Sequence, residues 1–480
     1  MKIEHVNVAQ VIAQGREMLK NNKKITAEFA TLFLLVLTLL ELMFERFGKN
    51  SRNSSIPPSQ DPNRDKTPKP GDKKKKPGGQ VGRIGKNLKP VESPDEIIEV
   101  PVDRKTLPPG RKYQKVGVVK RQVVDFLVSR KITEYHLEIV ANEKGKRYTA
   151  NAPEGVGRPI QYGNSMKAAA VYMGMHQLIP CGRVEEYFRD QAAIPISCGS
   201  LFNFNRSAYV LLDDFERIAK ERLRESAFLH FDETGINIKG KGHWLHGALN
   251  DKWTLFMAHK KRGNEAMDDM GILPGFKGIS IHDHWVAYFK YTECSHALCN
   301  AHHLRELQAV VEKYPNSTWA KLTKDLLLEI NEAVHKAGGV LPREEADQYL
   351  AKYRAILKIG NEECPLLPSE LEKPGKPKKR GRKKKTKERN LLERLKNFET
   401  ETLRFMGVKE VPFTNNPGEN DIRMTKVKQK ISGCFMSFEG AQHFCRIRSY
   451  LLTAQKHGIN ATDALNTLFS GKMPNFCASH

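Results

Sequence analysis

The sequence is poor in cysteine, in acidic side chains and in long apolar runs. Eight cysteines in 480 residues are too few for a secreted scaffold built on disulfides. The first 20 residues mix polar and apolar side chains, so no signal peptide is expected there. Acidic residues number 55 against 79 basic ones, a net charge of +24. Such an excess argues for a polyanionic partner, above all nucleic acid. Apolar residues make up 39% of the chain, enough to build real cores, and the length suggests about three domains.

One apolar stretch is conspicuous, Phe29–Phe44, with Glu41 its one charge. As a helix it would span about 24 Å, short of the roughly 30 Å of bilayer hydrocarbon. Ile25, Leu32, Leu35, Leu39 and Leu42 fall at near-heptad spacing. We read a helix used for self-association and no membrane span.

The positive charge is concentrated. Arg64–Lys89 carries a net of +8 and Lys373–Arg389 a net of +10, leaving +6 for the rest of the chain. Both tracts are rich in Pro and Gly and nearly devoid of apolar residues, so they are expected to be disordered alone. Counterion release would let them hold phosphates without regard to base sequence. Within the second tract the phosphate contacts are assigned to Lys378, Lys379, Arg380, Arg382, Lys383, Lys384 and Lys385.

Patterning divides the chain as follows: residues 1–50, a helical self-association segment; 51–94, a basic linker; 95–160, a small β module; 161–225, a helical region. An α/β region opens at residue 226, Trp319–Lys358 and Asn390–Met406 suit helices, and 461–480 reads as a tail. Ile97–Val102 and Gln122–Val140 alternate as strands do. Gly182–Gln191 reads as a short helix, Ala193–Ile196 as a turn, and Ser197 as the N-cap of a second helix. That pair is a helix-turn-helix candidate, with Ser200, Asn203, Asn205 and Arg206 placed to meet DNA. From Ala227 onward the order is three antiparallel strands, a helix, two strands and a helix. It predicts an α/β fold with a mixed sheet flanked by helices.

Asp232 and Asp283 each stand where an apolar strand run stops. Two carboxylates at adjacent strand ends suit Mg²⁺, and two such ions clamp the attacking and leaving oxygens of a phosphoryl displacement. Glu419, in the run Asn415-Asn416-Pro417-Gly418-Glu419, is the candidate third carboxylate. An alternative stands beside it: with Asn416 as N-cap, Glu419 would only close a capping box. Cys299 and His302, in Cys-x4-Cys-x2-His from Cys294, resemble part of a zinc site. A fourth ligand is not evident and zinc is not expected.

Several blocks resemble the transposases of the insertion-sequence IS66 group. They are HFDET (His230–Thr234), HDHWVAYFKYTECSHALCNAHHLREL (His282–Leu307), VPFTNNPGENDIRMTKVKQKISGCF (Val411–Phe435) and FCRIRSYLLTAQKHG (Phe444–Gly458), preceded by FGKNSRNSSIPPS and KPGGQVGRIG. The resemblance runs in order from about Phe44 onward. It implies a DDE transposase on an RNase H-like core, with Asp232, Asp283 and Glu419 as catalytic and metal-binding triad and two Mg²⁺ ions, Mn²⁺ being an alternative. That core would comprise residues 226–310 and 408–460, with 311–407 a helical insertion carrying the basic loop 373–389. It further implies that Cys299, His302, Asn415 and Asn416 support the site. Arg423, Lys426, Lys428 and Lys430 would face DNA. The implied partners are transposon ends, target DNA, further copies of the chain and accessory proteins of the same element, in a bacterial, nucleoid-associated cytoplasmic setting. A catalytically inactive DNA-binding relative and a structure-specific nuclease on the same fold are the alternatives. The chain departs from the group in three places. Val140–Val156 has no cysteine where a zinc knuckle is usual, PGENDIR has an altered flank around its glutamate, and the first helix is apolar rather than charge-rich.

Overall fold

The computed structural model describes residues 2–477 apart from 4–5, 22–24, 48, 55, 57–60, 64–87, 315–316 and 366–384. Most of both basic tracts, with Lys378, Lys379, Arg380, Arg382, Lys383 and Lys384, lies outside the described residues. The chain forms two compact units, one of residues 65–133 and one of residues 1–64 with 134–480.

In the smaller unit the described residues form one 3₁₀ turn, Arg104–Thr106, capped by the Asp103 carboxylate. The strands predicted over Ile97–Val102 and most of Gln122–Val140 are not formed. Their apolar side chains, among them Val100, Val102, Val123 and Phe126, are exposed. Alternation makes a strand only when another strand takes its hydrogen bonds and a core takes its apolar face. Neither is present here among the described residues.

The larger unit begins with β1 (Lys2–Ile3) and β2 (Val6–Asn7), an antiparallel pair, followed by helices α1 (Val8–Asn21) and α2 (Ala27–Phe47). Arg16 of α1 donates to Glu41 of α2 at 2.7 Å. Leu37 of α2 is buried, whereas Leu32, Leu35, Leu39 and Leu42 are each more than half exposed. No helix among the described residues is long and apolar enough to cross a membrane. A small exposed hairpin follows, β3 (Ile139–Ala141) with β4 (Arg147–Thr149).

Helices α3 (Asn164–Val171), α4 (Cys181–Ala192), α5 (Cys198–Leu211) and α6 (Asp213–Arg224) come next. Ala193, at φ 51°, closes α4 in the left-handed region. Ser197 caps α5 by accepting the Ser200 amide. Cys181 and Cys198, the first residues of α4 and α5, are joined by a disulfide.

The central sheet is mixed, with strand order β7-β6-β5-β8-β9. Its members are β5 (Phe228–Ile238), β6 (Lys241–Leu249), β7 (Thr254–His259), β8 (Ile279–His282) and β9 (Ser295–Leu298), with helix α7 (Asn264–Met270) between β7 and β8. β5, β6 and β7 are antiparallel neighbours, while β8 and β9 run parallel to β5. The predicted element order therefore holds. One expectation is corrected: β5 does not stop at Asp232 but runs six residues further. Lys239 and Gly240, both at positive φ, make a two-residue hairpin that carries the β5–β6 pairing past Asp232. Only the β5–β8 pairing ends early, at His230 and Ile281.

Helices α8 (Asn300–Lys313), α9 (Trp319–Lys336), α10 (Arg343–Glu363), α11 (Lys387–Asn397) and α12 (Glu399–Leu403) follow the sheet. A second core around Trp319, Leu327, Tyr353 and Leu392 also takes in Ile281 of β8 and Ala297 of β9. Burial of each such side chain contributes about 1.5–3 kcal/mol. Then come α13 (Asn416–Ser432), α14 (Phe438–Lys456) and α15 (Ala461–Phe469). α14 lies along the edge strand β7, where Ser449 Oγ and Thr453 Oγ1 accept the outward amides of Phe256 and Thr254. Side-chain hydroxyls thus satisfy an edge that would otherwise invite a foreign strand. The stretch after 460, read from sequence as a tail, packs Ala464, Leu465 and Leu468 into the main core. That core also holds Phe215 of α6, Phe276 and Tyr450 of α14.

Candidate functional site: a carboxylate cluster beside β8

Asp232 and Asp283 are each two residues beyond the last β5–β8 pair, His230 with Ile281. Side chains alternate along a strand, so both aspartates keep the facing of that pair. Asp283 follows β8 directly, and its Oδ1 accepts the Trp285 amide at 2.9 Å. Asp232 Oδ1 accepts the Glu233 amide at 2.9 Å. Burial pushes the Asp232 carboxyl up to about 8, helped by the negative charges of Glu233, Glu419 and Asp283. Asp232 therefore feels the charges of both Asp283 and Glu419, the other two acids singled out from sequence.

Glu419 arrives on α13. The N-cap of that helix is Asn415, with Asn416 and Pro417 as the first helical positions. The capping-box alternative placed the cap at Asn416. In the structure Glu419 stands one position deeper, no side chain caps the helix, and Glu419 Oε1 is buried without a hydrogen-bond partner. The carboxylate is not serving its own helix.

Asn415 anchors the entry to α13. Its side chain is buried, donating to the Phe231 carbonyl at 2.8 Å and pairing with His230 Nδ1 at 2.7 Å. Its amide donates to Cys299 Sγ at 3.1 Å. One residue thus ties α13 to β5 and to the start of α8. Gly247, opposite Asp232 on β6, lets α13 come close: a Cβ there would lie 3.3 Å from Ile422 and 3.1 Å from Phe256.

Glu233 was not singled out from the sequence. Its side chain is buried and accepts from Arg262 at 2.6 Å and from the Tyr288 hydroxyl at 2.5 Å. The Arg262 guanidinium also lies over the Trp285 and Trp244 rings, at 4.2 and 4.9 Å. Trp285 and Tyr288 follow Asp283 directly, so this network pins the Asp283 loop to β5. The acidic step Asp232-Glu233 was visible, but its partners lie 29 and 55 residues away and left no local signal.

Cys299 and His302 meet Glu419. Their donor atoms and a Glu419 oxygen lie within 4.8 Å of one another. The cluster draws its third donor from α13, not from Cys294, which instead lies 3.9 Å from His296. Glu419 takes the place that the sequence spacing gave to Cys294, and no fourth donor joins the group among the described residues. Asn416 is exposed at the start of α13.

The donor set fits a hard divalent cation. The charges of Glu419 and Asp283 bear on the Asp232 carboxyl, one Glu419 oxygen lacks a hydrogen-bond partner, and Arg262 is already paired with Glu233. Hard oxygen donors of this kind suit Mg²⁺ or Mn²⁺.

The predicted DNA-facing residues are scattered. On α5, Asn203 and Arg206 are exposed, Asn205 is half-buried, and Ser200 is held by Ser197. Lys385 is paired with Glu393 at 2.5 Å. On α13, Arg423 and Lys430 are exposed. Lys426 donates to the Gly235 carbonyl at 2.5 Å, and burial lowers Lys428 from the usual amine range.

The structure is that of an α/β protein with a five-stranded mixed sheet and acidic side chains near the end of its parallel strand β8. Residues 159–443, more than half of the chain, match the family model described as Transposase IS66 family. The chain belongs to that family of transposases. No curated protein matches it.

Proposed function

We propose that this transposase cleaves DNA at the ends of its element and joins the freed 3′ hydroxyl to target DNA, as a DDE enzyme on an RNase H-like core. The observation that supports the reading is the influence of the Glu419 and Asp283 charges on Asp232 in a chain of this family. The three carboxylates would hold two Mg²⁺ ions, with Mn²⁺ as a substitute. When bound, such ions lower the pKa of water and neutralise charge on the attacking and leaving oxygens. The protein's part is placement. Asn415 fixes the start of the glutamate's helix, and the Glu233–Arg262–Tyr288 network fixes the Asp283 loop. Cleavage is hydrolysis of one phosphodiester, and joining is exchange of another by the 3′ hydroxyl. Neither requires a covalent link to the protein.

Element-end duplex incubated with the full chain and Mg²⁺ should be nicked and then joined to a target plasmid. Binding without nicking would indicate an inactive relative, and nicking without joining a nuclease. Either outcome sinks the proposal.

DNA recognition is assigned to α4 and α5 as a helix-turn-helix, with Asn203 and Arg206 outermost, and to the two basic tracts. If the tracts neutralise about six phosphates, log affinity should fall with log salt at a slope near −5. Filter binding between 50 and 200 mM salt measures this, and a flat response removes the tracts from the interface.

A further inference from the structure

Three donors of mixed hardness converge where α8 and α13 begin. Cys299, immediately before α8, is buried. His302 lies in the first turn of α8 and Glu419 in the first turn of α13. His302 Nδ1 and Glu419 Oε1 face each other at 4.0 Å, and Cys299 Sγ completes a triangle with sides under 4.8 Å. Both the nitrogen and the oxygen are buried atoms without a hydrogen-bond partner. Leaving such atoms unsatisfied is costly, and a shared cation is one way to satisfy them together. The side chains of His302 and Glu419 are otherwise 29% and 33% exposed, so an ion can reach them. The Asn415 amide already donates to the sulfur, a bond that also favours a metal-bound thiolate.

We propose that Cys299, His302 and Glu419 form a site for a thiophilic divalent cation of the Zn²⁺ class, and that filling it withdraws Glu419 from Asp232 and Asp283. Three protein donors of Cys, His and carboxylate type plus one open position are what Zn²⁺ takes in open sites. Bonds of about 2.0–2.1 Å at tetrahedral angles need donors about 3.4 Å apart, so the 4.0 Å gap closes with a small side-chain rotation. Mg²⁺ rejects sulfur, so hardness separates the two sites even though they share one carboxylate. The binding site stands on its own geometry, whereas the withdrawal rests on the carboxylate reading above.

Cobalt(II) titrated into the full-length protein tests the site. A thiolate-to-cobalt charge-transfer band should appear in wild type and persist in Asp232→Asn. In Cys299→Ser and His302→Ala affinity should drop by about 100-fold or more, with circular dichroism showing both variants folded. No band in wild type, or an undiminished band in Cys299→Ser, overturns the site. Manganese(II) binding, followed by the electron-spin resonance of the free ion, tests the withdrawal. Prior Zn²⁺ should weaken manganese binding in wild type and not in Cys299→Ser. Equal manganese binding with and without Zn²⁺ overturns the withdrawal alone. Absence of manganese binding in zinc-free wild type overturns the carboxylate reading and the withdrawal with it, while the cobalt result still decides the site.

Discussion

Glu419→Gln should slow strand cleavage by about 10³-fold or more while leaving the melting temperature within about 2 °C of wild type. The change keeps the side chain's shape and removes one negative charge from the cluster. Losing a charged ligand removes several kcal/mol of transition-state stabilisation, and about 1.4 kcal/mol corresponds to a factor of ten. The fold should not notice, because no helix amide depends on this side chain and its inner oxygen has no hydrogen-bond partner. DNA affinity should also be unchanged. Single-turnover cleavage of a labelled element-end duplex and a thermal melt decide the matter. Full-rate cleavage by the variant, or a melt lowered by many degrees, would remove Glu419 from the catalytic assignment.

Asn415→Ala should have the largest effect on stability of any polar substitution near the site, roughly 2–5 kcal/mol. It leaves His230 Nδ1 and the Phe231 carbonyl without their Asn415 side-chain contacts inside the core. Each such loss costs about 1–3 kcal/mol. Cleavage should fall as well, because the start of α13 loses its tie to β5 and Glu419 is no longer held in place. Chemical denaturation gives the first number. A double-mutant cycle with His230→Ala should return a coupling of about 0.5–3 kcal/mol for the shared bond. Additive effects would mean that the pair does not act as a unit.

Much of this arrangement was legible in the chain. The order of strands and helices from Ala227 to Tyr314 follows from apolar runs punctuated by turn residues, and the cap at Ser197 from its place before an apolar-periodic run. Helices within Trp319–Lys358 and Asn390–Met406 followed from their spacing. Asp232 was misplaced as a strand end because the run after it, GINIKGKGHW, is rich in glycine and polar residues. Its strand character comes from pairing with β6 across the Lys239-Gly240 hairpin, which is tertiary in origin. The alternation of residues 97–140 misled in the opposite sense, offering one face of a sheet with no mate. Glu233 drew no reading from the sequence, since nothing near it in the chain announces Arg262 or Tyr288. The Cys-x2-His spacing was plain, but Glu419 lies 117 residues beyond His302, and only the folded chain sets them side by side.

The late position of α13 and α14 has a consequence for synthesis. A polypeptide interrupted before Asn415 carries Asp232 and Asp283 but not Glu419. It also lacks Ser449 and Thr453, whose hydroxyls receive the edge amides of β7. On the reading proposed above, such a product would lack its third carboxylate and would also leave the β7 edge open to a foreign strand.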